Sequence, residues 1–97
     1  MRKIPEIPLT PAPRSASAKA AVGFKWNHEA GTRHKLGGTP DWQQSPQWPD
    51  CPHCAERMSF YGQLDSIGDK YCLADVGLIY VFVCFNCLLT ASVLQSG

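Results

Sequence analysis

Two short motifs constrain this chain more than anything else in it: Cys51-Pro52-His53-Cys54 and Cys84-Phe85-Asn86-Cys87. Two thiolates spaced by two residues can grip one metal ion from a tight turn, whose backbone N–H groups can also hydrogen-bond the sulfurs. Four such sulfurs at about 2.3 Å complete the tetrahedron that Zn²⁺ accepts and leave no position for water, which makes the site structural rather than hydrolytic. The segment between the pairs, residues 55–83, is longer than the commonest spacing of about 15–20 residues for paired C-x-x-C sites.

The hydropathy pattern accounts for the excess. From Met58 to Asp65 the chain alternates, with Met58, Phe60 and Leu64 to one side and Ser59, Gln63 and Asp65 to the other. That is the period of a half-buried strand. Residues 66–75 read as a loop around the turn-prone Gly68-Asp69. Val76 to Val83 is rich in the β-branched and aromatic residues that suit sheets. The two strands match in length, so an antiparallel hairpin returns Cys84 to the level of Cys54. Leu88 to Leu94 offers a third, weaker strand. The expected fold class is small all-β, a zinc-ribbon-like antiparallel hairpin with a third strand. Cys51, Cys54, Cys84 and Cys87 are the expected ligands of one structural Zn²⁺.

Size makes the metal matter. The chain has 97 residues, of which about 60 look foldable, and an apolar core of that size rarely supplies more than about 3–5 kcal/mol. A structural zinc contributes an apparent 10–16 kcal/mol or so in metal-dependent domains. Dithiol redox chemistry and iron–sulfur ligation are the competing uses of four thiolates. Redox motifs usually open a helix in a βαβ context, and no such pattern occurs here.

Residues 1–27, rich in Pro, Ala and Ser, lack apolar periodicity and read as a flexible, disordered basic tail, with 28–97 as the domain. Residues 1–35 carry seven basic side chains against Glu6 and Glu29, whereas 36–97 carry Arg57 and Lys70 against six acids. The cations are scattered, so a solvated tail is favoured over a nucleic-acid arm. Prolines at 5, 8, 11 and 13 occupy the place where a signal peptide needs its apolar centre. The longest apolar run, Leu78 to Phe85, is eight residues, far short of the roughly 18–20 a helical span needs. The reading is therefore of a cytoplasmic protein in a reducing compartment, with no membrane association, whose five cysteines serve metal rather than crosslinks.

Other residues carry weaker signals. Cys72 has no partner of similar spacing and reads as a packed or free thiol. His53 lies within the first knuckle and reads as surface imidazole; His28 and His34 have no ligand partner at helical spacing. Asp65, Asp69 and Asp75 fit no calcium loop and read as turn-forming, solvated groups. No nucleophile–base pair or phosphate-cradling loop occurs, so the chain is not expected to be an enzyme. Trp42 and Trp48 are expected to lie over the small sheet. With Tyr61 and Tyr80 they form the expected surface for a protein partner, since the strand at Leu78–Phe85 is apolar on both faces and needs covering. Nucleic-acid binding through the basic tail is the alternative, weakened by the acidic body.

Several segments together resemble a known family. The string His34-Lys35-Leu36-Gly37-Gly38-Thr39-Pro40-Asp41-Trp42-Gln43 is followed by the Cys51/Cys54 knuckle. Then come Met58-x-Phe60-x-x-Gln63-Leu64-Asp65 and Asp75-x-Gly77-Leu78-Ile79-Tyr80-Val81-Phe82. This order resembles the YwqG-like family of bacterial proteins of unknown function. It is similar, more distantly, to the C-terminal domain of the programmed-cell-death-protein-two family, where a Gly-Gly-x-Pro-x-Trp segment, a cysteine knuckle, a Phe-x-x-Gln strand and a Leu-Tyr-Val-Phe strand recur. The resemblance covers roughly residues 33–87. It implies a β-rich domain with a role in protein interaction, the eukaryotic relatives being linked to chaperoning a ribosomal protein, and it carries over no catalytic residue.

Overall fold

A computed structural model describes residues 1–10, 15–17, 31–67 and 71–97. It shows one five-stranded antiparallel sheet in chain order: β1 (Ile7–Pro8), β2 (Lys35–Leu36), β3 (Ser59–Asp65), β4 (Leu78–Cys84) and β5 (Leu89–Gln95). The all-β expectation holds, and each expected strand of the hairpin lies within two residues of its predicted bounds.

β4 is the spine. Its sequence Leu-Ile-Tyr-Val-Phe-Val-Cys alternates between fully buried and half-buried positions. Leu78, Tyr80, Phe82 and Cys84 face the core with Met58, Phe60 and Cys51. Trp42 and Trp48 close that core from above. Trp42 lies 4.7 Å from Tyr80 and 6.0 Å from Phe82, and Trp48 meets Phe82 edge-on at 5.5 Å, centroid to centroid. Each ring contact of this kind adds about 0.5–1.5 kcal/mol beyond the area it buries.

β3 departs from simple alternation. Phe60 pairs with Phe82 but Gly62 pairs with Val81, so Tyr61 is an extra residue opposite none: a β-bulge. One added residue turns every later side chain to the other face. Gln63 and Asp65, expected in solvent, are buried, while Leu64, expected in the core, is half exposed.

Among the described residues, every buried side-chain nitrogen and oxygen has a hydrogen-bond partner. The Gln63 amide donates to the Arg33 carbonyl and to Asp41, each at 2.8 Å. Asp65 has a fully buried carboxylate that accepts from the Gly31, Arg33 and Ser66 amides and from the Arg33 guanidinium, which approaches to 2.7 Å. Burial alone would raise its pKa; these donors outweigh it and hold the carboxyl below its usual value. Asp65 thus contributes stability above the ordinary carboxylate pKa, and that contribution is lost as pH falls through the depressed one. Its reading as a solvated loop acid is corrected. Asp69 lies outside the described residues, as does His28.

The reading of residues 1–10 as part of a disordered tail outside the domain is also corrected. Ile7 and Pro8 pair with Leu36 and Lys35, the Leu9 amide donates to the His34 carbonyl at 2.9 Å, and the Gly38 amide donates to the Ile4 carbonyl at 2.7 Å. Proline is tolerated because this strand is the sheet's edge. Lys35, nearly buried, pairs with Glu6 at 2.8 Å and with Asp41 at 3.3 Å. Gly37, at φ +63°, packs so close to the Ile4 and Pro5 carbonyls that no side chain fits there. The rest of the expected tail, residues 11–14 and 18–27, lies outside the described residues.

Candidate metal centre

Both cysteine pairs sit on turns of the same shape. In the first, the Ala55 amide donates to the Cys51 carbonyl at 2.8 Å; in the second, the Leu88 amide donates to the Cys84 carbonyl at 2.7 Å. Each fifth residue is left-handed, Ala55 at φ 64° and Leu88 at φ 57°. The first turn is closed at its base by the Cys51 amide donating to the Glu56 carbonyl at 2.7 Å and by the isolated bridge between Asp50 and Arg57. The second is the hairpin between β4 and β5, with Cys84 as the last residue of β4. Asn86 donates to the Glu56 carboxylate at 2.6 Å, tying one turn to the other.

The hairpin register then does what the strand lengths predict. Ser59 pairs with Val83, so the chain entering β3 and the chain leaving β4 sit side by side. The four sulfurs of Cys51, Cys54, Cys84 and Cys87 lie within 4.8 Å of one another. A tetrahedron with metal–sulfur bonds of about 2.3 Å has edges of about 3.8 Å, and the Cys54 and Cys84 sulfurs are 3.6 Å apart. That separation excludes a disulfide, whose bond is about 2.05 Å; all five cysteines are free thiols. Four cysteines are arranged to coordinate one metal ion.

The electrostatics are those of a site waiting for a cation. The Cys54 amide, with help from His53, donates to the Cys51 sulfur and lowers its pKa to about 7 despite burial. Burial and the three neighbouring sulfurs push Cys87 up to about 12. Cys54 receives the Glu56 amide, yet burial and the adjoining Cys84 and Cys51 raise it overall. Four thiols this close cannot all ionise without a positive charge among them. Cys51 and Cys84 are buried, Cys87 half-buried and Cys54 exposed, so the centre opens to solvent on one side.

The other predicted residues are placed as follows. His53 is exposed on the first turn and lies outside the sulfur group. Cys72, apart from the cluster, donates its thiol to the Ala74 carbonyl at 3.3 Å. His34 accepts from the Asp65 amide at 3.0 Å. Trp42 and Trp48 are half-buried over the sheet, and Tyr61 stands exposed at the bulge. Tyr80 is fully buried, its hydroxyl donating to the Asp41 carbonyl at 2.7 Å and accepting from the Gln43 amide at 3.2 Å. It is no part of a docking surface, which corrects its assignment. Sequence reasoning missed the network of Arg33, Asp65, Gln63, Asp41 and Lys35, for which the one available signal was its density of charge beside apolar strands.

Among the described residues, no helix is long and apolar enough to cross a membrane. The chain is 39% identical over 67 residues to an uncharacterized protein, YpfL, of Salmonella typhimurium. The match takes in 66% of this chain and 15% of that relative. The chain thus resembles part of a bacterial protein of unknown function and spans a small fraction of its length. No protein-family model matches the chain, so the likeness to the YwqG-like and programmed-cell-death-protein-two families rests on the motifs quoted above. No solved structure matches it.

Proposed function

We propose that this protein is a zinc-stabilised β module, non-catalytic, that engages a protein partner. The observation that carries the reading is the sulfur quartet: four Sγ atoms within 4.8 Å, delivered by two turns of one shape. Four thiolates fill a tetrahedral ion's coordination, so the metal organises the fold and has no position in which to activate water. Zinc suits a closed all-thiolate site on a small domain better than iron–sulfur chemistry, because one ion suffices to join two turns. Five reduced cysteines fit a reducing compartment such as the cytoplasm.

The partner reading rests on aromatic surface. Trp48 and Phe60 line a half-open cleft of about 420 Å³, walled by Ile4, Pro5 and Thr39. A cleft of that size accepts an apolar side chain of another protein. Trp42 adds a half-exposed ring next to Trp48, their centroids 5.9 Å apart.

Thiol counting tests the metal part. In the protein as purified, one thiol per chain, Cys72, should react promptly with a disulfide reagent, and all five should react after chelation. Five prompt thiols in a folded chain would refute it. A partner captured by the zinc-loaded protein should be released by chelator and retained in moderate salt. Release by salt alone would instead favour nucleic-acid binding through the basic N-terminal residues.

A further inference from the structure

The two edges of the sheet differ in kind. Sheet edges present unpaired N–H and C=O groups, and proteins normally defend them with charge, proline, bulges or brevity. The β1 edge is defended: it has two residues, Ile7 and Pro8, with Pro5 just upstream. The β5 edge has none of these devices. Its seven residues, Leu-Thr-Ala-Ser-Val-Leu-Gln, include no charge and no proline. They pair with β4 in unbroken register from Leu78–Gln95 to Cys84–Leu89. Among the described residues no strand pairs with the outer side of β5.

The sheet face turned away from the core continues the pattern. Leu64, Ile79 and Leu94 form one row across β3, β4 and β5, and Ser59, Val83 and Thr90 form another. No charged residue lies in either row. Leu64 and Leu94 are half exposed, at 50% and 52%.

We infer that β5 is a dimerisation edge, and that its occupant is the β5 strand of a second copy of this chain, paired antiparallel about a two-fold axis through Ser92. Three observations favour a second copy. A strand without charge meets itself without repulsion, and the chain's formal net charge of +1 adds little. Only an axis through Ser92 pairs all seven residues, setting Leu89 against Gln95, Thr90 against Leu94 and Ala91 against Val93. In that register the row Leu64–Ile79–Leu94 runs on into Thr90, Val83 and Ser59 of the second copy, giving an uncharged row across six strands.

The defended β1 edge explains why such an assembly stops at two. Isologous pairing uses both β5 edges at once, leaving a proline-blocked edge at each end. Head-to-tail pairing of β5 on β1, which would propagate into a fibre, is excluded by that same edge.

The test uses the metal-loaded full chain in a dilution series, with mass measured by light scattering or sedimentation. The expected result is reversible exchange between the 10.7 kDa chain and a species of twice that mass. Ser92 is exposed, so Ser92→Lys leaves the monomer's core untouched while placing two like charges opposite each other at the axis. That variant should stay monomeric with its metal content unchanged, as should Ser92→Glu. An equimolar mixture of the two should recover the dimer, since Lys then faces Glu. A wild-type chain that stays monomeric at its highest concentration overturns the proposal. So does a Ser92→Lys variant that dimerises undiminished, a mixture that fails to recover the dimer, or association that grows past two copies. Metal content, measured on the same samples, keeps a failure here distinct from a failure of the zinc reading.

Discussion

Replacing Arg33 with methionine should destabilise the folded, zinc-saturated protein by about 3 kcal/mol at neutral pH. The Asp65 side chain has no solvent exposure, and the Arg33 side chain retains 20%. The Arg33 guanidinium supplies two of the donors to this carboxylate, Nε at 3.0 Å and Nη2 at 2.7 Å. Removing one partner of a buried ion pair costs about 3–5 kcal/mol, because the other charge is left uncompensated. The low end applies here, since the amides of Gly31, Arg33 and Ser66 continue to hold Asp65. The lost bond from Arg33 to the Val76 carbonyl at 3.1 Å adds to the cost. Denaturant unfolding of wild type, Arg33→Met, Asp65→Asn and the double variant, all with excess zinc, closes a double-mutant cycle. The expected coupling is about 2 kcal/mol, within the usual range for residues in one network. Additivity within about 0.5 kcal/mol would refute the idea that the inward turn of Asp65 depends on this cation.

Three further outcomes follow from the geometry. Ala55→Gly and Leu88→Gly each relieve a left-handed residue that carries a Cβ, and each should gain up to about 1 kcal/mol in thermal unfolding of the zinc-loaded protein; a loss at both would contradict the knuckle geometry. Gly37→Ala pushes against the Ile4 and Pro5 carbonyls, so limited trypsin should cut faster at Arg2 and Lys3 while the metal stays bound. Zinc affinity should rise at least about a hundredfold per pH unit near neutrality, because loading the site displaces at least the two protons that Cys54 and Cys87, both with raised pKa values, still hold there. Competition with a chromophoric chelator measures this slope, and a flat profile would contradict it.

The four-cysteine cluster was legible because its logic is local and chemical. Two C-x-x-C turns and two strands of equal length suffice to bring Cys84 back to Cys54, and β4 announces itself through an unbroken β-branched and aromatic run. What hid was set by geometry that composition does not encode. Tyr61 is an ordinary strand residue in the sequence, yet its bulge inverts Leu64, Gln63 and Asp65 and so creates the buried polar network. Tyr80 alternates as a strand residue should. Its inward place depends on the Asp41 carbonyl and the Gln43 amide, which come from a loop some forty residues earlier. The left-handed Ala55 and Leu88 gave no signal, because glycine is the residue that marks such positions. Pro5 and Pro8 argued for a loose tail, whereas the same prolines are compatible with an edge strand that needs no outward donor.

The most direct measurement is the metal content of protein purified without added metal, determined by elemental analysis alongside circular dichroism. One zinc per chain is the predicted result, falling to well below one in Cys54→Ser and Cys87→Ser, with the β signal lost when chelator removes the ion. A wild-type chain that carries no metal and keeps its full sheet signal in chelator would contradict the claim that four sulfurs and one ion hold this fold together.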